Sequence, residues 1–269
     1  MALGVAAIGV IALLWSAPFL WMVVASLRPD SMGSLEIASL LPSLPPSLAN
    51  FRLAWESADF LLNYANTMTV VVGTLSVQLV TVSLAGYAFA RLKFAGRNLI
   101  FYLFLLQLMI VPPVLIVPNL KTVTRLGIYD TLWAVMAPYW ASAFGTFLMR
   151  QTFLGIPRDF EDAAEIDGCS LLQTLRYVLL PMAKPALIAF GIVSVVAHWN
   201  EFLWPLMVID SPSHRTLTLG LANFVSSGEG DAEWGVIAAG TLIVSLPLFA
   251  AFVAFQRQFI NSFIMSGIK

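Results

Sequence analysis

Five carboxylates, Asp159, Glu161, Asp162, Glu165 and Asp167, crowd into nine residues of a 269-residue chain that is 59% hydrophobic and only 11% charged. What the chain lacks narrows their chemistry. Its single cysteine (Cys169) and two histidines (His198 and His214) form no metal-ligand spacing. The patterns H-E-x-x-H, G-x-S-x-G and G-x-x-x-x-G-K-[ST] do not occur. Catalysis, a resident metal and nucleotide binding are therefore not expected, which leaves recognition. Ala163 and Ala164 offer a thin face, Phe160 an aromatic anchor, and the acids a rim, a combination suited to seating a short helix in a partner's groove. The competing reading is a solvated acidic connector.

Order in the flanking residues favours the first reading. Pro157 and Asp159 mark a helix start, because proline suits a first turn and a carboxylate accepts orphan backbone N–H groups there. The helix is expected from about Phe160 to Asp167. Gly168 stops it, since glycine takes the left-handed C′ conformation without a Cβ penalty. Ser170 restarts a helix with capping-box spacing to Gln173. Leu171, Leu172, Leu175, Val178 and Leu179 form its apolar stripe, opposite Arg176. Pro181 and Pro185 then turn the chain into the next apolar run.

A second constellation lies in that run. Glu201 is three residues after His198, on what reads as one helix face, among Trp199, Asn200, Phe202 and Trp204. Aromatic faces with amide and carboxylate acceptors suit a polyhydroxylated solute, so Trp199, Asn200, Glu201 and Trp204 are candidate pathway residues. The blander reading is a His198–Glu201 pair pinning helices, with tryptophans at the membrane interface. Pro112, Pro113 and Pro118 interrupt another run, either as a hinge or as a static kink. Gln78, Thr81, Ser83, Tyr139 and Ser142 line a path or bond neighbouring helices, and Gly86 permits close helix approach.

The elements that must position these groups are membrane helices. Mean hydropathy is +0.85, and apolar runs of spanning length fall at about 4–27, 66–90, 98–120, 131–154, 184–208 and 235–256. With the N-terminus inside, Arg91, Lys93, Arg97, Arg150, Arg158, Arg176, Lys184, Arg257 and Lys269 are cytoplasmic. Arg28, Arg52, Lys121, Arg125 and Arg215 are external. That bias puts both termini and the acidic island in the cytoplasm. The external segment 28–65 carries SLLPSLPPSL, whose prolines favour extended chain or turns. The tail is expected to leave the membrane at Arg257 as a short polar end. A net charge of −1 argues against a nucleic-acid partner. The whole chain, 1–269, reads as a single membrane domain with a loop at 157–183.

Asp162-Ala163-Ala164, three residues, Gly168, nine residues, then Val178-Leu179-Leu180-Pro181 resembles the EAA loop of binding-protein-dependent ABC importers. Asp162 stands for the usual Glu and Val178 for the usual Ile. SLRPD, LAGYAFARLKFAGRN, MIVPPVLIVPNL, RLGIYDTLWAVMAPY, WNEFLWPL and the ending QRQFINSFIMSGIK extend the similarity to the carbohydrate-uptake branch. The likeness is to the smaller, six-span permease subunit of maltose-type importers.

That resemblance implies an all-α polytopic protein with six transmembrane helices and a cytoplasmic coupling helix between the fourth and fifth. Phe160, Asp162, Ala163, Ala164, Asp167, Gly168 and Pro181 would then form the contact with the ATPase. It implies a bacterial inner membrane location, a second homologous permease subunit, a cytoplasmic ATPase dimer holding ATP and Mg, and an extracytoplasmic solute-binding protein. No cofactor belongs to this chain. The implied cargo is a sugar or sugar-like solute; GEGDAEW at 228–234 is similar to glycerol-phosphate-type permeases. A stand-alone secondary transporter, the reading from a different class, would show inverted repeats and titratable relays at mid-membrane.

Overall fold

The computed structural model describes residues 2–29, 45–57, 59–227 and 234–267. Much of SLLPSLPPSL and of GEGDAEW lies outside them, as does Asp30 of SLRPD. Among the described residues the regular structure is helical throughout: α1 (Ala2–Ser26), α2 (Ala49–Ser57), α3 (Phe60–Arg91), α4 (Arg97–Leu106), α5 (Ile116–Arg125), α6 (Leu132–Met136), α7 (Ala143–Gly155), α8 (Asp159–Ile166), α9 (Leu171–Thr174), α10 (Leu180–Met182), α11 (Lys184–Trp199), α12 (Leu203–Val208), α13 (Leu217–Ser227) and α14 (Trp234–Gly267). Among the described residues three helices are long and apolar enough to cross a bilayer, and up to six spans result if each bent helix pair counts as one.

Proline explains the bends. Pro112 forces Val111, the residue before it, into extended backbone, and the chain turns by 106° between Arg97–Met109 and Pro112–Arg125. The run at 131–154 bends by 43° between Leu132–Tyr139 and Ala143–Gly155, where Ser142 caps α7 by accepting from the Gly145 N–H at 3.1 Å.

The run at 184–208 is not one helix. α11 ends at Trp199, and α12 restarts at Leu203. In an unbroken helix the Pro205 ring would collide with the Glu201 carbonyl four residues back. His198 and Glu201 therefore do not share a helix face. The Asn200 side chain closes α11 by donating to the Val196 carbonyl at 2.8 Å. The last candidate span covers Trp234–Ala254, and α14 continues as helix past Arg257.

The chain forms two compact units: residues 1–64 with 216–251, and 65–215 with 252–269. In the first, the buried Asn50 amide donates to the Ser26 and Arg28 carbonyls at 3.2 and 2.8 Å, holding α2 against the end of α1. In the second, Val82, Tyr87, Met149, Phe153, Leu175, Leu179 and Phe190 make the core. A Cβ on Gly86 would meet Met149 Cβ at 2.6 Å and the Arg150 nitrogen at 3.1 Å, so Gly86 sets the close approach of α3 to α7.

Candidate functional site

Two regions of the second unit hold the residues singled out above. The first is the acidic island. α8 spans Asp159–Ile166 and begins at Arg158, whose side chain makes no capping bond; Asp159, Glu161 and Asp162 occupy the first turn, where the helix dipole favours anions. Gly168 takes φ +81° and ends α8 in a Schellman turn. Its N–H donates to the Glu165 carbonyl at 3.0 Å and the Cys169 N–H to the Ala164 carbonyl at 2.9 Å. Ser170 restarts the chain, its N–H donating to Gln173 Oε1 at 2.7 Å.

The second helix departs from its expected stripe. Leu175 and Leu179 enter the core, but Leu171 and Leu172 are exposed. Residues Leu175–Leu179 form a π turn, and one extra residue per turn shifts the phase of everything before it. Pro181 sits at the first turn of α10 without bending the helix, and the 78° bend falls between Met182 and Lys184.

The face that α8 presents is also selective. Phe160 and Ala163 are exposed, and Ile166, one turn further, is 88% exposed. Ala164 is instead only 5% exposed; it faces inward, where α8 packs on α9 and the π turn. Asp162, Asp167 and Gly168 are exposed beside the apolar residues. An exposed row of Phe160, Ala163 and Ile166 with acids alongside was legible in part, but Ile166 was missed.

Glu161 does not belong to the free rim. Its Oε1 lies 2.6 Å from Arg91 Nε at the end of α3, with the two side chains 18% and 7% exposed. Arg91 also donates to the Ile156 carbonyl at 2.6 Å. Nearby, Arg150 donates to the Phe89 carbonyl at 3.3 Å and lies over the Phe101 ring at 4.2 Å. The island is thus tied to the core by a charged contact that nothing in the spacing of the acids announced.

The second region is a cavity of about 470 Å³. Gln78, Tyr139, Ser194, His198 and Glu201 supply most of its polar wall, and Pro112, Pro113, Phe144 and Phe190 part of its apolar wall. Gln78 joins three elements. Its amide donates to the Tyr139 carbonyl at 2.6 Å and lies 3.3 Å from His198 Nε2, while its Oε1 accepts from Ser194 at 2.5 Å. The Tyr139 ring packs on His198 at 4.7 Å, and its side chain is hydrogen-bonded to Glu201.

Of the four candidate pathway residues, Glu201 and Trp204 line this cavity. Glu201 also accepts from the Trp204 N–H at 3.2 Å, capping α12, and the Trp204 indole donates to the Ala134 carbonyl at 3.1 Å. Trp199 is buried outside the lining, and Asn200 is exposed beyond it. Ser194 was not anticipated; a lone serine in an apolar run gives little signal until its partner is placed.

At the other end of α3, the Asn66 amide donates to the Ser213 and Arg215 carbonyls, both at 2.9 Å. Asp130 holds the same segment. Its carboxylate accepts from the Asp210 and Ser211 N–H groups at 2.9 and 3.0 Å and from the Ser211 hydroxyl, with His214 Nδ1 3.7 Å away. These bonds, the Ser211 hydroxyl first, lower the carboxyl to about 2 from its ordinary 3.8. From Asn66 to Arg91, α3 rises by about 37 Å, roughly a bilayer's thickness, so the 208–215 and 156–161 segments stand at opposite ends of one spanning helix.

Comparison with known proteins places the chain in a family. Residues 82–263 match the family described as binding-protein-dependent transport system inner membrane component. The chain is 32% identical to the probable ABC transporter permease protein YurM of Bacillus subtilis (strain 168), over 94% of this chain and 83% of that one. It is 31% identical to the arabinooligosaccharides transport system permease protein AraQ of Halalkalibacterium halodurans, over 94% and 90%. It is also 31% identical to the sn-glycerol-3-phosphate transport system permease protein UgpE of Salmonella typhimurium, over 81% and 80%. A chain from the crystal structure of a bacterial ABC transporter that imports the acidic polysaccharide alginate shares the fold, with a TM-score of 0.86 at 20% identity over 96% and 95% of the two chains. The chain is a member of the binding-protein-dependent inner membrane components, a permease subunit of an ABC importer.

Proposed function

We propose that this chain couples a separate cytoplasmic ATPase dimer to import of a sugar-like solute, forming the translocation pathway with a second, homologous permease subunit. ATP and Mg are bound by the ATPase, and an extracytoplasmic binding protein delivers the solute. The relative named for arabinooligosaccharides supports a polyhydroxylated cargo. Both termini and the acidic island lie on the cytoplasmic side in this reading.

The observation that carries it is α8 with its Schellman turn. Phe160 and Ala163 present an apolar strip to a groove, with Ile166 extending it. Asp162 and Asp167 offer charge to basic groups beside that groove. Asp167 sits at the C-terminal end of α8, where the helix dipole opposes an anion by about 0.3–1 kcal/mol, so its role is outward recognition rather than helix stability. Gly168 and Pro181 fix the path between α8 and the core, and Ala164 lets α8 settle close to the π turn. Glu201 and Trp204 form the solute-facing part, and Trp199 and Asn200 lie outside it.

Gly168→Pro is the test. Proline cannot adopt φ +81° and loses the N–H that bonds to Glu165. Membrane insertion should persist while solute-stimulated ATP hydrolysis and uptake by the reconstituted importer fall at least about tenfold, equivalent to about 1.4 kcal/mol of lost coupling. Uptake at the normal rate would refute the assignment.

A further inference from the structure

We propose that the cavity beside the 200–202 break rejects anions: Glu201 admits neutral polyhydroxylated solutes and holds back phosphorylated or carboxylated ones. The inference rests on the reading of this cavity as part of the solute path. Its observations are separate from that reading. Among the described residues, Glu201 is the one acidic side chain on the wall, and no lysine or arginine lines it. The other polar groups present hydroxyls, amides, a phenol and an imidazole: Gln78, Gln107, Asn119, Tyr139, Ser142, Ser194 and His198.

Two arginines of this unit, Arg91 and Arg150, are committed elsewhere. Arg91 is bound to Glu161 and the Ile156 carbonyl, and Arg150 to the Phe89 carbonyl and the Phe101 ring. A phosphate or carboxylate entering the cavity would therefore meet a like charge inside apolar walls, with no lysine or arginine among the described lining residues to pair with. In such surroundings like charges repel far more strongly than in water. A neutral polyol instead finds donors and acceptors for its hydroxyls, and Phe144, Phe190 and Tyr139 for its C–H faces.

Glu201 is also held in place rather than adaptable. It accepts from the Trp204 N–H at the start of α12, and Trp204 in turn is anchored to the Ala134 carbonyl. The carboxylate is thus a fixed feature of the wall and does not swing away as an anion approaches.

The test reads the cavity's charge preference without needing the cargo. In a Cys169→Ser background, single cysteines are placed at the exposed lining positions Ala141 and, separately, Val193. Membrane vesicles carrying the complete importer are treated with methanethiosulfonates bearing either a trimethylammonium or a sulfonate group. Rates are divided by those for free 2-mercaptoethanol. With Glu201 in place, the normalised cation-to-anion ratio should be about tenfold or more, fall toward unity in Glu201→Gln, and invert in Glu201→Lys. A ratio equal to that of the free thiol with Glu201 present would overturn the anion-rejecting role while leaving the pathway intact. Cysteines unreactive toward both reagents at both positions would instead overturn the pathway reading beneath it. The ratio with Glu201 unaltered is measured on the native site, so the outcome does not depend on whether its variants fold.

Discussion

Asp130 is a non-glycine residue at φ +56°, in the left-handed region that costs most side chains about 1–2 kcal/mol. Its carboxylate offsets that cost by binding the 210–211 backbone. Asp130→Ala should therefore destabilise the purified protein by about 1–3 kcal/mol, and Asp130→Asn by less, because Asn tolerates the conformation and keeps an acceptor; thermal unfolding in detergent checks both. The pH dependence has a definite sign. A carboxyl lowered from 3.8 to about 2 stabilises the folded state above its unfolded value and loses that contribution as pH falls through about 2. The stability difference between the native chain and Asp130→Asn should be flat above about pH 5 and shrink between about pH 4 and 2. Gly86 is the second test at this scale. Adding one methyl drives it into the Met149 and Arg150 backbone, so Gly86→Ala should cost about 1–3 kcal/mol, seen as a lower unfolding temperature. That glycine was legible as a close-approach residue, whereas Asp130 was not: its partners are about eighty residues away and no local pattern points to them.

Among the elements, α8 was legible within one residue at each end, because proline, glycine and the capping-box serine act locally. The helix after it was not. A stripe counted at 3.6 residues per turn misplaces Leu171 and Leu172, since the π turn at 175–179 breaks the count. The break at 200–202 had its signal in Pro205, which hydropathy alone passes over. The charged tether between α3 and α8 supplies a further prediction. Arg91 and Glu161 are mostly buried, so removing one partner strands the other. Arg91→Ala or Glu161→Ala should each lower solute-stimulated ATP hydrolysis in the reconstituted importer. The double variant should be milder than the sum of the two, with a coupling energy of about 0.5–3 kcal/mol in a mutant cycle. Strictly additive losses would show that the tether is incidental.

At the scale of the whole chain, the membrane-spanning class was legible from composition, because apolar runs of spanning length leave few other structures open. The division of those runs into straight and broken helices was not, and the broken ones supply most of the cavity wall: the bends at Pro112 and at 140–142 and the break at 200–202 flank its lining residues. Between that wall and α8 lies the five-residue wide turn at 175–179. Each residue of an α-helix advances the azimuth by about 100°. Rewinding those same five residues at the ordinary pitch, with every side chain still present, would swing the apolar strip of Phe160, Ala163 and Ile166 through about a quarter of a revolution relative to α11. The wide turn is therefore the dial that sets the compass bearing of that strip.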